Sequence, residues 1–137
     1  MRRDIPIEDL EAFLELPITA VLASFRPDGR VLLSPVWHEW RDGGFNVGCD
    51  RGNGHVRNLR RDPRASLVVP GQEPPWIGVE IRCDARILQD GVEPIVRRIA
   101  ARYEGAERAE LEHPGRSVVL RLEPGELRSW DFAEEEG

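Results

Sequence analysis

Residues 18–40 read ITAVLASFRPDGRVLLSPVWHEW and decide the predicted fold. Apolar and β-branched residues fill both ends of this stretch, a pattern that favours strands. Between the two ends stand Pro27, Asp28 and Gly29, residue types that form tight turns. Because a tight turn brings the two runs side by side, we predict an antiparallel β-hairpin here.

Further turn signals extend the hairpin into a mainly β domain. Asp42, Gly43 and Gly44 form the next turn, which leads to a third strand, FNVGC, at residues 45–49. The last three strands are predicted at ASLVV from Ala65, at WIGVEIRCDARIL from Trp76 and at SVVLRLEPGELRSWDF from Ser117. A Pro-Gly pair interrupts the last of them. The sequence therefore predicts six strands.

Three predicted helices interrupt the strands. The first ends at Pro17, the second is capped by Asn53 and ends before Pro63, and the third ends near Gly105. Apolar residues recur at helical spacing in the first helix, at Ile7, Leu10, Phe13 and Leu14, and in the third, at Val92, Ile95, Val96, Ile99 and Ala100. Because helices do not alternate with strands, a small antiparallel barrel fits better than a doubly wound sheet. We predict that residues 1–137 form one such domain.

The composition excludes several classes of protein. A net charge of -6 at pH 7 argues against binding nucleic acid through its phosphates. All nineteen basic side chains are Arg, so a Schiff-base lysine mechanism is excluded. The sequence shows neither an export signal nor an apolar run long enough to span a membrane, and we expect a cytoplasmic protein. Cys49 and Cys83 are far apart and indicate neither a disulfide framework nor a zinc site.

The order of these elements resembles the pyridoxamine-phosphate-oxidase-like split-barrel family. Its most specific part is RNLRRDPRASLVV, at residues 57–69, and the resemblance covers most of the chain. It implies a mainly β fold, a six-stranded antiparallel split β-barrel of the FMN-binding type. It also implies a homodimer that binds FMN, or the deazaflavin coenzyme F420, at the subunit interface. We expect the third strand and the long strand from Trp76 to contribute to that interface.

By this resemblance, the turn at residues 51–57 would hold the phosphate of the cofactor. It offers the guanidinium groups of Arg51 and Arg57, the side chains of Asn53 and His55, and glycines that let backbone amides approach. Similar proteins often have Lys in place of His55, and Arg or Ser in place of Asn53. Because imidazole is charged only in part at neutral pH, we predict that phosphate affinity rises as the pH falls through the His range.

The ring system of the cofactor would lie against backbone groups of the second and third strands. By the resemblance these groups belong to Ser34, Pro35, Val36, Trp37, Val47, Gly48 and Cys49. Gly48 would permit close approach of a planar ring. Trp76, in the loop before the long strand, would reach the cofactor of the other subunit. Trp37 and His38 alternate along a strand, and we favour Trp37 as the one that faces the core.

The resemblance implies an oxidoreductase that transfers a hydride between FMN or F420 and a small conjugated substrate. No catalytic side chain and no metal site is predicted, because the histidines show no metal-ligand spacing. True pyridoxamine phosphate oxidase activity is disfavoured, because the sequence ends in the acidic segment RSWDFAEEEG, without a basic substrate-binding terminus.

Two other functions remain open. One is a non-enzymatic flavin- or haem-binding protein, in which His38 or His113 would bind iron. The other is a barrel that has lost its cofactor, which the replacements at Asn53 and His55 favour. Individual residues also have simpler interpretations: His55 is then a solvated loop residue, and the cysteines are buried apolar side chains. The arginines of the second helix and its exit form a solvated face or, alternatively, bind the polyglutamate tail of F420; they are Arg57, Arg60, Arg61 and Arg64.

Overall fold

In the computed structural model, residues 1–105 and 114–133 are described and contain ten β-strands and three α-helices. The strands are β1 (Arg2–Arg3), β2 (Ala20–Phe25), β3 (Val31–Val36), β4 (His38–Arg41), β5 (Gly44–Asp50), β6 (Arg64–Pro70), β7 (Gly78–Asp84), β8 (Arg86–Leu88), β9 (Ser117–Leu122) and β10 (Glu126–Asp131). The helices are α1 (Glu11–Leu14), α2 (Gly54–Arg61) and α3 (Glu93–Glu104). Single 3-10 turns precede α1 at Ile7–Leu10 and β9 at Pro114–Arg116.

The strands form two antiparallel sheets. The six-stranded sheet has the order β1-β10-β7-β6-β2-β3, and the four-stranded sheet has the order β4-β5-β9-β8. The predicted mainly β fold, an antiparallel split β-barrel, is confirmed; one of its sheets has six strands, the predicted number, and a second sheet has four.

Three of the six predicted strands are divided between the two sheets. VLLSPVWHEW breaks at Trp37, WIGVEIRCDARIL breaks at Ala85, and SVVLRLEPGELRSWDF breaks at residues 123–125. These crossings join the sheets into the split barrel. The first two breaks fall inside runs that the sequence predicts as single strands, whereas the third falls at the Pro-Gly pair that interrupts the predicted strand. The sequence therefore predicts these strands but not their crossings.

The helices follow their predicted signals. The Oδ1 atom of Asn53 accepts a hydrogen bond from the backbone N–H of His55 at 2.9 Å, which caps α2 as predicted. Helix α3 ends at Gly105, whose φ of 87° is a left-handed conformation that glycine adopts readily. Within the described part of the chain, no helix has the length and apolar character needed to span a membrane.

The core lies between the two sheets and is closed by the first helical segment and α2. Phe45, Leu14, Leu22 and Leu120 are among its largest fully buried side chains. Phe45 packs edge-on against the rings of His38 and Trp40, with ring centroids at 5.5 Å and 4.8 Å. The centre of the core is therefore aromatic as well as aliphatic.

The expected orientation of Trp37 and His38 is wrong. His38 is fully buried, whereas Trp37 is 37% exposed and stacks on Tyr103 of α3, with ring centroids 4.8 Å apart. The reason is that His38 is the first residue of β4 and its Nε2 atom lies 3.0 Å from the carbonyl oxygen of Ile18. A buried polar ring with such a partner is acceptable in a core, but the partner is twenty residues away in sequence.

Replacing Phe45 by alanine tests the position of the core. We expect Phe45→Ala to lower the free energy of unfolding by about 3–5 kcal/mol, because it leaves a cavity among fully buried side chains. Phe132, which is 52% exposed, provides the matched control, and Phe132→Ala should change that free energy by about 0.5 kcal/mol or less. Urea denaturation followed by circular dichroism measures both. Equal losses in the two variants would contradict this core.

Candidate functional site

A chain of polar side chains joins α2 to the six-stranded sheet. The His55 ring is 2% exposed and lies between two serines: its Nδ1 atom is 2.7 Å from Ser24 Oγ, and its Nε2 atom is 2.9 Å from Ser34 Oγ. Asn58, one turn further along α2, donates from Nδ2 to Ser24 Oγ at 3.1 Å. Burial lowers the pKa of His55 below its ordinary value of 6.5. His55 is therefore a neutral, buried ring, and its interpretation as a solvated loop residue is wrong.

The turn at residues 51–57, here called the arginine turn, concentrates positive charge beside this chain. Arg57 donates from Nη1 to the carbonyl oxygen of Gly52 at 2.7 Å, and Arg51 donates from Nη2 to the carbonyl oxygen of Gly115 at 3.0 Å. Both side chains are exposed. A guanidinium carries five N–H donors, so each arginine keeps donors for an anion after these contacts.

A third arginine, Arg116, completes the charge balance of the arginine turn. Its Nε atom lies 3.2 Å from Asp50 Oδ1, so the carboxylate at the start of the turn has a cationic partner. The N–H of Gly52 donates to the other carboxylate oxygen of Asp50 at 2.7 Å. Arg51 and Arg57 instead donate to backbone carbonyls, so both guanidinium groups are cations that an anionic ligand would meet at this turn.

Most backbone amides of the arginine turn donate to groups of the turn itself or of Asp50 just before it. The N–H of Asn53 donates to the Asp50 carbonyl, and the N–H of His55 donates to the Asn53 side chain, both at 2.9 Å. The glycines also serve packing, since a Cβ atom on Gly54 would lie 3.2 Å from Leu32 of β3. The donors best placed for a phosphate are therefore the guanidinium groups rather than the amides.

The residues predicted to contact the ring system of the cofactor lie on two sheets. Ser34, Pro35 and Val36 end β3, with Pro35 exposed and the other two half-buried, and Trp37 follows them at the crossing. Val47 is buried on β5, paired with His38. The structure therefore brings Ser34 together with His55, whereas Val47 faces the core.

Gly48 lies against helix α3, whereas Cys49, the next residue of β5, packs against the core. A Cβ atom on Gly48 would lie 3.3 Å from two methyl carbons of Val96, so the close approach at this glycine is that of helix α3. Burial, with a smaller contribution from Asp50, raises the pKa of Cys49 to about 12. Cys49 is half-buried and remains a protonated thiol at neutral pH.

Trp76 lies apart from the other predicted site residues. It is 48% exposed in the loop between β6 and β7, and β2 stands between β6 and β3 in the six-stranded sheet. Adjacent strands are about 4.8 Å apart, which separates this loop from β3 by about 10 Å.

Four cavities of ≈ 330 Å³ to ≈ 560 Å³ are lined by described residues, and none of these four is lined by a predicted site residue. These cavities therefore do not account for the predicted cofactor site.

His38 is not available to a haem iron in this structure. Its ring is fully buried, and Nε2 is taken by the Ile18 carbonyl, while Nδ1 has no hydrogen-bond partner among the described residues. Burial, reinforced by the charge of Arg102, lowers the pKa of His38 to about 4. The other proposed iron ligand, His113, lies outside the described residues.

Sequence reasoning missed four residues of this region. Ser24 and Asn58 extend the polar chain, Arg116 balances Asp50, and Tyr103 supports Trp37. Two of them carried a usable signal: Ser24 falls on the inward face of the alternating strand with Ala20 and Leu22, and Asn58 stands three residues after His55 on one helix face. The other two come from segments distant in sequence, and no local pattern points to them.

The chain matches a known protein family in sequence and several solved structures in fold. A family profile described as pyridoxamine 5'-phosphate oxidase matches residues 7–131. A comparison with curated proteins found no match. Among solved structures, a conserved hypothetical protein from Mycobacterium tuberculosis is 23% identical at a TM-score of 0.80, and the match covers 94% of this chain and 86% of that one.

Two further solved structures carry functional descriptions. One is described as F420 reductase; it is 22% identical at a TM-score of 0.76, over 85% of this chain and 94% of that one. The other is described as the FAD and heme binding protein from Mycobacterium smegmatis; it is 14% identical at a TM-score of 0.78, over 98% of this chain and 75% of that one. At these identities the likeness shows a shared fold.

The buried His38 ring predicts a pH dependence of stability. The unfolded chain binds a proton at His38 near pH 6.5, whereas the folded chain does so only near pH 4. Neutral His38 therefore contributes on the order of 3 kcal/mol to the free energy of unfolding above pH 6.5. This contribution is lost as the pH falls toward 4. Urea denaturation at a series of pH values measures it. His38→Gln, which does not titrate there, should show a flatter profile, and parallel profiles would contradict the assignment.

Proposed function

Because the chain belongs to the pyridoxamine 5'-phosphate oxidase family, we propose that it is an oxidoreductase that binds FMN or the deazaflavin F420. It would transfer a hydride between that cofactor and a small conjugated substrate. The arginine turn is the observation that carries the proposal, since it offers two exposed guanidinium groups beside β3. The solved structure described as F420 reductase shares this fold and supports the deazaflavin alternative.

The residues present fit the phosphate of such a cofactor. Arg51 and Arg57 have N–H donors beyond their contacts with backbone carbonyls, and Asp50, just before the turn, is paired with Arg116. The whole chain carries a net charge of -6, so attraction of an anion has to come from a local cluster of this kind. Asn53 would act indirectly, by capping the helix that carries His55 and Arg57.

The protein would contribute position, electrostatics and exclusion of water. The bound cofactor supplies the hydride chemistry, so no acid or base need be provided by the chain. The C-terminal half of β3, with Ser34, would meet one edge of the ring, and Trp37 is held flat against Tyr103 beside it.

We also propose a homodimer in which a second copy completes the site. Strand β3 is the edge of the six-stranded sheet, and its outward residues Val31, Leu33 and Pro35 are exposed. Leu33 alone is 63% exposed, which is unusual for a leucine on a regular strand. Phe45, Asn46 and Val47 of the third predicted strand are buried within one chain, so the interface we propose lies on β3 instead. Trp76 of the second copy would then approach the ring.

Cofactor titration tests the proposed function. We expect the purified protein to bind FMN or oxidised F420, followed by cofactor fluorescence at pH 7. Arg57→Ala should weaken binding about ten- to a hundredfold, because hydrogen bonds to charged groups contribute about 1.5–3 kcal/mol. Arg97→Ala is the control, an exposed helical arginine on α3, and should change binding less than about threefold. Binding of neither cofactor overturns the proposal, and equal effects of the two variants overturn the role of the arginine turn.

The dimer is tested by placing a charge on β3. Light scattering should give the mass of two chains for the wild type and a lower mass for Leu33→Glu, because the new carboxylate would be buried in the interface. Cofactor affinity should fall in parallel. Leu16→Glu, at a leucine that is 50% exposed elsewhere, is the control and should leave both measurements unchanged. A monomeric wild type that binds cofactor tightly would contradict the composite site.

A further inference from the structure

The buried chain Asn58, Ser24, His55 and Ser34 has a definite direction of hydrogen bonding. Asn58 donates to Ser24 Oγ, so that oxygen acts as an acceptor toward the helix. Ser24 is 1% exposed, and within residues 1–105 and 114–133 the acceptor in reach of its own hydroxyl hydrogen is His55 Nδ1 at 2.7 Å. Ser24 therefore donates to Nδ1.

The direction continues through the ring. When Nδ1 accepts, the proton of neutral imidazole is on Nε2, and Nε2–H donates to Ser34 Oγ at 2.9 Å. Ser34 Oγ accepts that bond, which leaves its own hydroxyl hydrogen for another acceptor. Burial lowers the pKa of His55, and this agrees with a neutral ring. Each serine oxygen and ring nitrogen along this path then has a partner, and the hydroxyl hydrogen of the half-buried Ser34 is the donor at its end.

The opposite direction would turn Ser34 into a candidate nucleophile with His55 as its base. In that arrangement Ser34 donates to Nε2 and Nδ1–H donates to Ser24. Ser24 would then accept two hydrogen bonds, and its own hydrogen would be buried without an acceptor among the described residues. A buried unsatisfied donor is destabilising, so the geometry disfavours a Ser–His nucleophile.

We propose that the Ser34 hydroxyl donates a hydrogen bond to an acceptor atom of the bound cofactor and that His55 and Ser24 are positioning residues that aim it. This inference rests on the proposed function and adds to it a specific donor and the side chains that orient it. Hydrogen bonds in such a chain polarise one another, so the terminal hydroxyl is a better donor than an isolated serine. A hydroxyl held in one orientation also loses less freedom on binding.

The place of Ser34 in the fold supports a ligand contact. It stands on the edge strand β3, two residues after Leu32, against which Gly54 at the start of α2 is packed. The arginine turn includes the first turn of α2, and Ser34 contacts His55 in that same turn, so the Ser34 hydroxyl and the guanidinium groups lie at the same end of this helix. A molecule with an anionic group and ring acceptors would meet both.

The test uses the cofactor, FMN or F420, that the wild type binds in the titration above. Ser34→Ala should weaken binding about three- to tenfold, the effect of one neutral hydrogen bond. A shift of the visible absorption maximum of the bound cofactor in this variant places the contact on the ring, and an unchanged maximum with weaker binding places it on the phosphate. Ser66→Ala, a half-buried serine on β6, is the control and should bind as the wild type does. Wild-type affinity in Ser34→Ala overturns the inference and leaves the proposed function standing.

The positioning role is tested by a double-variant cycle. His55→Leu should weaken binding as much as Ser34→Ala, and the double variant should bind no more weakly than either, because His55 acts through Ser34. His55→Gln, whose amide can still donate to Ser34, should retain most of the affinity. Additive losses would show that His55 acts in another way. Circular dichroism checks that each variant is folded. If His55→Leu does not fold, the comparison of His55→Gln with the wild type still tests the role of His55.

A measurement without cofactor tests the direction of the chain itself. Nitrogen-15 NMR of the histidine rings at pH 7 should show His55 neutral with its proton on Nε2, assigned by the loss of its signals in His55→Gln. A proton on Nδ1 overturns the proposed direction whatever the cofactor titrations give. Failure of the wild type to bind either cofactor overturns the proposed function and, with it, the ligand contact of Ser34.

Discussion

The crossing of the chain between the two sheets at Trp37 is the constraint on which the rest of the structure depends. Two residues of α3 hold it: Tyr103 accepts from the His38 N–H at 3.3 Å and donates to the Ile18 carbonyl at 2.8 Å, and Arg102 donates to the His38 carbonyl. Because backbone groups at a crossing leave the ladder of one sheet before they join the other, they need partners of this kind. The crossing also fixes β3 as an edge strand and turns His38 into the core.

The two buried histidines show how this fold uses imidazole without its charge. His38 satisfies a backbone carbonyl at the crossing, and His55 joins two serines of adjacent strands to α2. Burial keeps the pKa of each ring below its ordinary value, so both act as neutral rings with one donor and one acceptor. At His38 the nearby charge of Glu39 favours the cation, but it does not offset burial and the charge of Arg102.

The sequence predicts those features that depend on neighbours along the chain. The hairpin around Gly29, the cap at Asn53 and the end of α3 at Gly105 each follow from residues within a few positions. Contacts between distant segments escaped prediction. The inward turn of His38 depends on Ile18, the burial of His55 depends on Ser24 and Ser34, and the packing at Gly48 depends on Val96 of α3. In each of these cases the residue type was noticed, but the partner that decides its role lies at least twenty positions away.

Acid would affect cofactor binding through the His55 ring. The sequence favours tighter phosphate binding as His55 gains a proton, because a charged imidazole attracts an anion. In the structure the added proton would go to Nδ1, the atom that accepts the hydroxyl hydrogen of Ser24. Protonation would therefore break the bond that orders the chain, whereas Arg51 and Arg57 stay charged throughout and hold their attraction for the phosphate. The arginines keep their charge at low pH, and Ser34 is a neutral donor. A proton on His55 therefore disturbs the orientation of the Ser34 hydroxyl without adding a needed charge. We expect the affinity for the cofactor to fall at low pH.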